Sequence, residues 1–216
     1  MWEFVDKVIY INLDHRQDRR DIMKKFFEKG KFPADKIVRF PAIKHQRGTI
    51  GCTESHAEVL RIAKRNKWKN VLILEDDLEW LDLERQYPIL EKLAAVPKWD
   101  VIMLMGWYYQ FKFPRVYYAN HTSAYLVNST YYDKLLKNRE EALYKVKTKS
   151  IGFNFNTTIF NADVYWNHLM KVDTWYCLHP CICRQVDGFS DIGKRTRETS
   201  KAVGVYDVKI RNEVYK

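Results

Sequence analysis

The segment VLILEDDL, residues 71–78, places four aliphatic side chains directly before three acids, Glu75, Asp76 and Asp77. An uninterrupted aliphatic run of this length is typical of a buried strand, so the acids are expected at the end of that strand. In extended backbone, Glu75 and Asp77 would share one face and Asp76 would lie on the other. Such close carboxylates repel one another, and a divalent cation that prefers oxygen ligands would neutralise them. The alternative interpretation is a solvated acidic turn.

The pattern around this segment predicts strands that alternate with helices. Strands are predicted at residues 5–13, 36–43, 70–75 and 100–105, and helices at residues 18–29, 53–68 and 83–95. The second half is less regular, with a strand or hairpin at 117–127, helices at 129–138 and 162–170, and a loop over the site at 144–158. Alternation of this kind predicts an α/β fold with a mostly parallel central sheet in a single domain.

Composition narrows the class of protein. The chain has 216 residues, of which 46% are hydrophobic and 15% aromatic, so a globular domain is expected. It has neither a transmembrane-length apolar run nor a signal-peptide pattern at its start. We therefore expect a soluble cytoplasmic or intracellular protein, with peripheral attachment to a membrane as the alternative. The four cysteines are expected to be reduced structural thiols rather than a disulfide scaffold or a zinc site.

The net charge of +10 predicts anionic partners. The basic stretches at residues 134–149 and 194–216 also contain acids, and neither shows a nucleic-acid-binding module. A solvated surface therefore explains most of this charge better than nucleic-acid binding does.

Two further clusters carry polar groups that suit an anion. The first predicted strand ends at Asn12 and Leu13, followed by Arg16 and Arg19, whose guanidinium groups can grip phosphate oxygens or pair with nearby aspartates. The second cluster is Arg47-Gly48-Thr49-Ile50-Gly51-Cys52-Thr53-Glu54-Ser55-His56. Its glycines permit close backbone approach, and the helix start offers unpaired N–H groups. Alternatively, Ser55 forms a capping box with Glu58 and His56 is a hydrogen-bonded core residue.

The order of these motifs resembles glycosyltransferase family 25, which includes lipopolysaccharide glycosyltransferases and collagen galactosyltransferases. The matching positions cover nearly the whole chain. They are Ile11-Asn12-Leu13 with Arg16 and Arg19, Gly48-x-Ile50-Gly51-Cys52 with Ser55-His56, Leu74-Glu75-Asp76-Asp77, Thr122-Ser123-Ala124-Tyr125-Leu126-Val127, Asp163, Pro180, Gln185 and Ser190-Asp191-Ile192. Thr49 stands where many members carry an acid, and the aromatic residues 107–113 match no family motif.

The resemblance implies a Rossmann-like glycosyltransferase A-type fold. Residues 1–105 would bind the nucleotide sugar, and residues 106–216 would form the acceptor side and a basic tail. The implied reaction transfers a hexose, galactose or glucose, with inversion from a nucleotide diphosphate sugar such as a UDP-hexose. The acceptor would be a glycan, a lipid-linked glycan or a protein, and the cofactor Mn²⁺ or Mg²⁺. A catalytically silent nucleotide-sugar-binding module is the alternative; the oligomeric state is not predicted.

The resemblance also implies roles for individual residues. Asp77 is the principal metal ligand, with Glu75 or Asp76 on the metal or the ribose. Asp163 is the base, although it could instead cap a helix, and Asp191 is the competing acid. The predicted donor-binding residues are Asn12, Leu13, Arg16, Arg19, Arg47, Gly48, Gly51, Ser55, His56, Glu75, Asp76, Gln185 and Ser190. The aromatic segment 107–113 is either an acceptor platform or ordinary packing.

Overall fold

A central sheet organises the computed structural model, which describes residues 1–149 and 157–197. The strands of the described residues are β1 (Lys7–Asn12), β2 (Ile37–Pro41), β3 (Asn70–Glu75), β4 (Leu78–Trp80), β5 (Val101–Met103), β6 (Trp107–Lys112), β7 (Arg115–Asn120), β8 (Ala124–Asn128), β9 (Trp175–Cys177), β10 (Cys183–Gln185), β11 (Gly188–Ser190) and β12 (Arg195–Arg197). Its helices are α1 (Gln17–Lys29), α2 (Gly48–Arg65), α3 (Leu83–Ala94), α4 (Tyr132–Lys149), α5 (Ala162–Tyr165) and α6 (Asn167–Val172).

Within the described residues, eight strands form one sheet in the order β2-β1-β3-β8-β5-β9-β7-β6. β1 runs parallel to β2 and β3, and β5 runs parallel to β9. β8 is antiparallel to β3 and β5, and β7 is antiparallel to β9 and β6. All strands of this sheet except β7 and β8 therefore point the same way. The predicted α/β class with a mostly parallel central sheet is confirmed.

Helices cover both faces of the sheet, which explains why its central strands are apolar throughout. Leu72 and Leu74 of β3 pack on the face covered by α1 and α3, in a cluster with Met23 and Leu90. Val71 and Ile73 face the other way, in a cluster that contains Leu60 of α2 and Leu135 of α4. A strand buried on both faces needs apolar residues at every position.

The topology brings the ends of three strands together. Ile11 of β1 lies opposite Glu75 of β3, and Asn12 lies opposite Pro41 of β2, so the carboxyl ends of β1, β2 and β3 are neighbours. The antiparallel strand β8 begins at the same edge, where Ala124 pairs with Leu74. The acidic triplet is therefore at the edge where parallel α/β sheets bind ligands.

Several predicted boundaries are wrong. Helix α2 begins at Gly48, five residues before the predicted start at 53, so both glycines of the second cluster lie inside a helix. The stretch 144–149 belongs to α4 and not to a loop, because Leu143 and Val146 pack against Ile50 and Phe160. Residues 157 and 158 of the predicted loop begin a short 3-10 helix, Thr157–Phe160. Residues 150–156 lie outside the described residues, as do residues 198–216 of the basic tail.

Other elements differ in detail. The strand or hairpin predicted at 117–127 is divided between β7 and β8, and the predicted helix at 162–170 is divided into α5 and α6. Strand β8 lies between β3 and β5, so the sheet interleaves the two predicted halves, and the division at residue 105 stays a prediction. Among the helices of the described residues, none has the length and apolar character needed to cross a membrane.

Candidate active site

A cavity of about 510 Å³ lies beside the carboxyl ends of β1 and β3. Its walls come from these strand ends, the segment 42–46, the first half of α2 and the segment 185–194. The predicted site residues that line it are Leu13, Arg19, Gly48, Gly51, Ser55, His56, Glu75, Asp76, Asp77, Gln185, Ser190 and Asp191. Most of the predicted donor-binding residues are thus brought together, although they come from four distant parts of the chain.

Arg19 joins two of the three acids. Its Nη1 donates to Asp76 Oδ1 at 2.6 Å and to Asp77 Oδ2 at 3.0 Å. The buried amide of Asn12 donates to the other oxygen of Asp76 at 2.7 Å. Because the strand ends at Glu75, the alternation of an extended chain does not continue. The prediction that Asp76 and Asp77 point to opposite sides is therefore wrong.

Asp77 is the most perturbed acid of this cluster. Burial raises its pKa to about 7, and the charges of Glu75 and Asp76 act in the same direction. Arg19 and the Gln185 amide, which donates to both oxygens of Asp77 at 3.2 and 3.3 Å, only partly oppose this rise. The protein thus holds a carboxylate at a position where its charge is incompletely neutralised.

Glu75 has a different environment, rich in hydrogen-bond donors. Thr122 donates to Oε1 at 2.8 Å, and Ser123 and Gln185 donate to Oε2 at 3.0 and 3.2 Å. Burial alone would raise the pKa of Glu75, but the contact with His56, the charge of His121 and the hydrogen bond from Thr122 bring it to about 2. Burial lowers the pKa of His56, and the neighbouring Glu75 carboxylate only partly opposes this fall.

Arg16 and Arg19 also hold the β11–β12 hairpin over the cavity. Both guanidinium groups donate to the carbonyl oxygen of Phe189, at 3.2 and 2.8 Å. Arg16 further pairs with Asp18 and with Asp191, which lies in the turn of the hairpin. Arg16 and Asp191 therefore fasten the hairpin to the start of α1.

Ser55 and Arg47, two of the predicted donor-binding residues, lie in and just before α2. Ser55 donates to the Gly51 carbonyl at 2.7 Å and accepts from the Ile43 N–H at 2.8 Å, so it fixes the segment before the helix to the helix itself. The capping-box alternative is wrong, because Ser55 lies inside α2 and Arg47 occupies the N-cap position. Arg47 is half-buried and does not line the cavity.

A second cavity of about 520 Å³ adjoins the first. It contains Asp163, which is half-buried on α5, and Trp107, whose ring meets His121 edge-on at 5.0 Å between centroids. The two cavities share Cys52, Glu75, Gln185 and Ile192.

Asn161, not Asp163, occupies the N-cap position of α5, so the helix-cap alternative for Asp163 is wrong.

Sequence reasoning missed several contributors. Arg20 and Arg39 donate to Asn12 Oδ1 at 3.1 and 2.9 Å, which fixes the amide that holds Asp76. The hydroxyl groups of Thr122 and Ser123 hold Glu75, a role that the resemblance of this segment to the family does not predict. The one sequence signal for Thr122 and Ser123 is their position just before a buried strand, which places their hydroxyl groups at the edge of the sheet.

The acids fit a hard divalent cation by their chemistry. Asp76 and Asp77 offer carboxylate oxygens, the donor type that Mn²⁺ and Mg²⁺ prefer, and burial makes an additional positive charge beside Asp77 favourable. In the structure, Arg19 and Gln185 donate hydrogen bonds to the oxygens of Asp77, and Arg19 supplies the positive charge.

No protein-family model and no curated protein matches the chain. Solved structures with a similar fold include a glycosyltransferase involved in the glycosylation of the major capsid of PBCV-1, with 9% identity, a TM-score of 0.48 and coverage of 80% of each chain. A protein from STIV is similar over 88% of this chain and 92% of its own, with 13% identity and a TM-score of 0.46. These likenesses concern the overall fold, and membership of glycosyltransferase family 25 stays a prediction.

Proposed function

We propose that the protein is a metal-dependent, inverting glycosyltransferase that moves a hexose from a nucleotide diphosphate sugar to a hydroxyl group of a glycan, a lipid-linked glycan or a protein. The observation that supports this most is the meeting of two cavities at Glu75 and Gln185. One cavity carries Arg19, Asp76 and Asp77, and the other carries Asp163. A donor in one cavity and an acceptor in the other could bring their reacting atoms together at the shared boundary, which is the proximity that a two-substrate transfer needs.

The first cavity suits the donor. Its volume falls within the range of about 300–1,000 Å³ that small-molecule sites occupy. Arg19, Lys44 and Lys194 line it, and such cations attract a diphosphate. The choice of a UDP-hexose carrying galactose or glucose rests on the family resemblance.

Asp77 is our proposed ligand for Mn²⁺ or Mg²⁺, assisted by Asp76. When bound, the cation stabilises the negative charge that develops on the departing diphosphate. Glu75, the other predicted ligand, is held by Thr122, Ser123 and Gln185 and faces the boundary between the cavities.

Asp163 is our proposed base. Its carboxylate accepts the proton of the acceptor hydroxyl while that oxygen bonds to the anomeric carbon of the hexose. The bond from this carbon to the diphosphate breaks on the opposite face, so the configuration inverts and the nucleoside diphosphate leaves. Asp191 is less suited to this role, because it pairs with Arg16 beside the donor cavity.

A thermal-shift screen of nucleotide sugars, with and without Mn²⁺, tests the proposal. A true donor at 100 times its Kd stabilises the folded chain by about 2.7 kcal/mol. We expect the largest shift from a UDP-hexose with Mn²⁺, and we expect Asp77→Asn to lose the Mn²⁺-dependent part. Asp35→Asn, an exposed control outside both cavities, should behave as wild type. If the thermal shift of every nucleotide sugar were the same with and without Mn²⁺, the metal-dependent mechanism would be contradicted.

A second candidate is a catalytically silent nucleotide-sugar-binding module. The observation that favours it is the Arg19 guanidinium, which bridges Asp76 and Asp77 and acts as a built-in cation. This candidate predicts nucleotide-sugar binding without Mn²⁺ and no release of nucleoside diphosphate from any donor. Release from one donor would exclude it.

A further inference from the structure

A second group of potential metal ligands lies at the boundary of the two cavities. Cys52 and His56 are four residues apart on α2, so they lie on one face of the helix, and Glu75 approaches them from the end of β3. Within residues 1–149 and 157–197, these three side chains are the one group of His, Cys, Asp or Glu whose ligand atoms all lie within 4.8 Å of one another.

The hydrogen bonds of His56 leave one ring nitrogen for this group. The His56 side chain is fully buried, and its Nδ1 is 2.8 Å from the hydroxyl of Tyr125. Its Nε2 has no hydrogen-bond partner and faces Glu75 Oε1 at 3.7 Å. A buried polar atom without a partner is costly, and a metal-binding histidine commonly bonds a second group through its other nitrogen.

Glu75 also keeps one free acceptor position, on the carboxylate oxygen that faces His56. A carboxylate has about four lone-pair positions. Ser123 and Gln185 use two of them on Oε2, and Thr122 uses one on Oε1. The remaining position therefore belongs to Oε1, the oxygen that faces His56.

The distances suit a tetrahedral ion. Metal–ligand bonds of about 2.0–2.3 Å at tetrahedral angles separate neighbouring ligand atoms by about 3.3–3.6 Å. The 3.7 Å between His56 Nε2 and Glu75 Oε1 is close to this value but too long for a normal N–H···O hydrogen bond of about 2.9 Å.

We propose that Cys52, His56 and Glu75 form a mononuclear zinc site whose fourth position opens toward the boundary of the two cavities. One sulfur, one imidazole nitrogen and one carboxylate oxygen favour Zn²⁺ over Mn²⁺ or Mg²⁺, which prefer oxygen ligands throughout. Binding converts the Cys52 thiol to a thiolate and releases its proton to solvent. The ion would join α2 to the end of β3, independently of the donor-side cation at Asp77.

Co²⁺ added to the chelator-treated full chain tests the site, because a cobalt–thiolate bond gives a charge-transfer absorption band. We expect one equivalent of Co²⁺ to produce this band and Zn²⁺ to remove it. Cys52→Ser should abolish the band, whereas Cys181→Ser, which removes a half-buried thiol outside the group, should retain it. His56→Gln should weaken Zn²⁺ binding by more than about tenfold.

A second readout needs no variant. Zn²⁺ should slow iodoacetamide labelling of Cys52 in the wild-type chain, measured by mass spectrometry of its peptide, with Cys181 as the internal reference. Absence of the cobalt band, its survival in Cys52→Ser, or Cys52 labelling that saturating Zn²⁺ leaves unchanged would each overturn the proposal. Because both readouts report metal binding alone, they are independent of transferase activity.

Discussion

Replacing Asp77 by asparagine should stabilise the metal-free chain at neutral and higher pH, although it should abolish transfer. The Asp77 side chain is only 11% exposed, and burial together with Glu75 and Asp76 raises its pKa. Ionisation of Asp77 therefore lowers the free energy of unfolding. Asparagine has a similar shape and carries no charge, so the substitution removes this destabilisation.

The magnitude follows from the pKa. A rise from 3.8 to about 7 is roughly three units, and each unit corresponds to about 1.36 kcal/mol, which gives a cost of about 4 kcal/mol when the group is ionised. Because the folded state retains the proton more strongly than the unfolded state, the free energy of unfolding falls as pH rises from about 4 to about 7. Below this window both states are protonated, and above it the difference is constant.

Urea unfolding of chelator-treated wild type and Asp77→Asn between pH 4 and pH 8 measures the effect. We expect the stability of wild type relative to the variant to decline across this window and to level off above pH 7. If the Arg19–Asp77 contact were instead a stabilising ion pair, the variant would be less stable at pH 8 and the trend would be reversed. That result would refute the view that this position is prepared for an added cation.

Three further outcomes are expected. Asp163→Asn should lower turnover by about 10²–10⁴-fold with donor affinity unchanged in calorimetry; normal turnover in this variant, with loss in Asp191→Asn, would move the base to Asp191. Gly51→Ala should lower the free energy of unfolding by about 1–3 kcal/mol in urea titrations, because its methyl group would collide with the Ile43 carbonyl oxygen; unchanged stability would contradict this packing. Trp2→Ala should lower the free energy of unfolding by about 3–5 kcal/mol, because the fully buried ring stacks on Phe32 and donates to the Gly30 carbonyl. Activity per folded molecule should be retained. A loss of activity in the folded variant would link Trp2 to the site.

The sequence predicted the elements whose pattern is local and strong. The aliphatic runs that became β1 and β3 need apolar residues at every position, because helices cover both faces of the sheet. Their ends fixed the position of the acidic triplet. Strands β9 to β12 have three residues each, too few to show a periodicity, and none of them was predicted.

The start of α2 could not be predicted from local preference. Gly48 and Gly51 have low helix propensity and indicate a loop, yet both lie in the helix where other segments pack closely against them. The pairing of Arg19 with Asp76 and Asp77, and the approach of Asp163 to the same boundary, depend on the path of the whole sheet. Contacts of this range leave no local signal in the sequence.

Release of nucleoside diphosphate from a panel of nucleotide sugars with Mn²⁺, followed by chromatography, tests the proposed function most directly. The account predicts release from a UDP-hexose that increases with an acceptor, requires Mn²⁺, and is lost in both Asp77→Asn and Asp163→Asn. Binding without release from any donor, or release that is unchanged in these two variants, would contradict it.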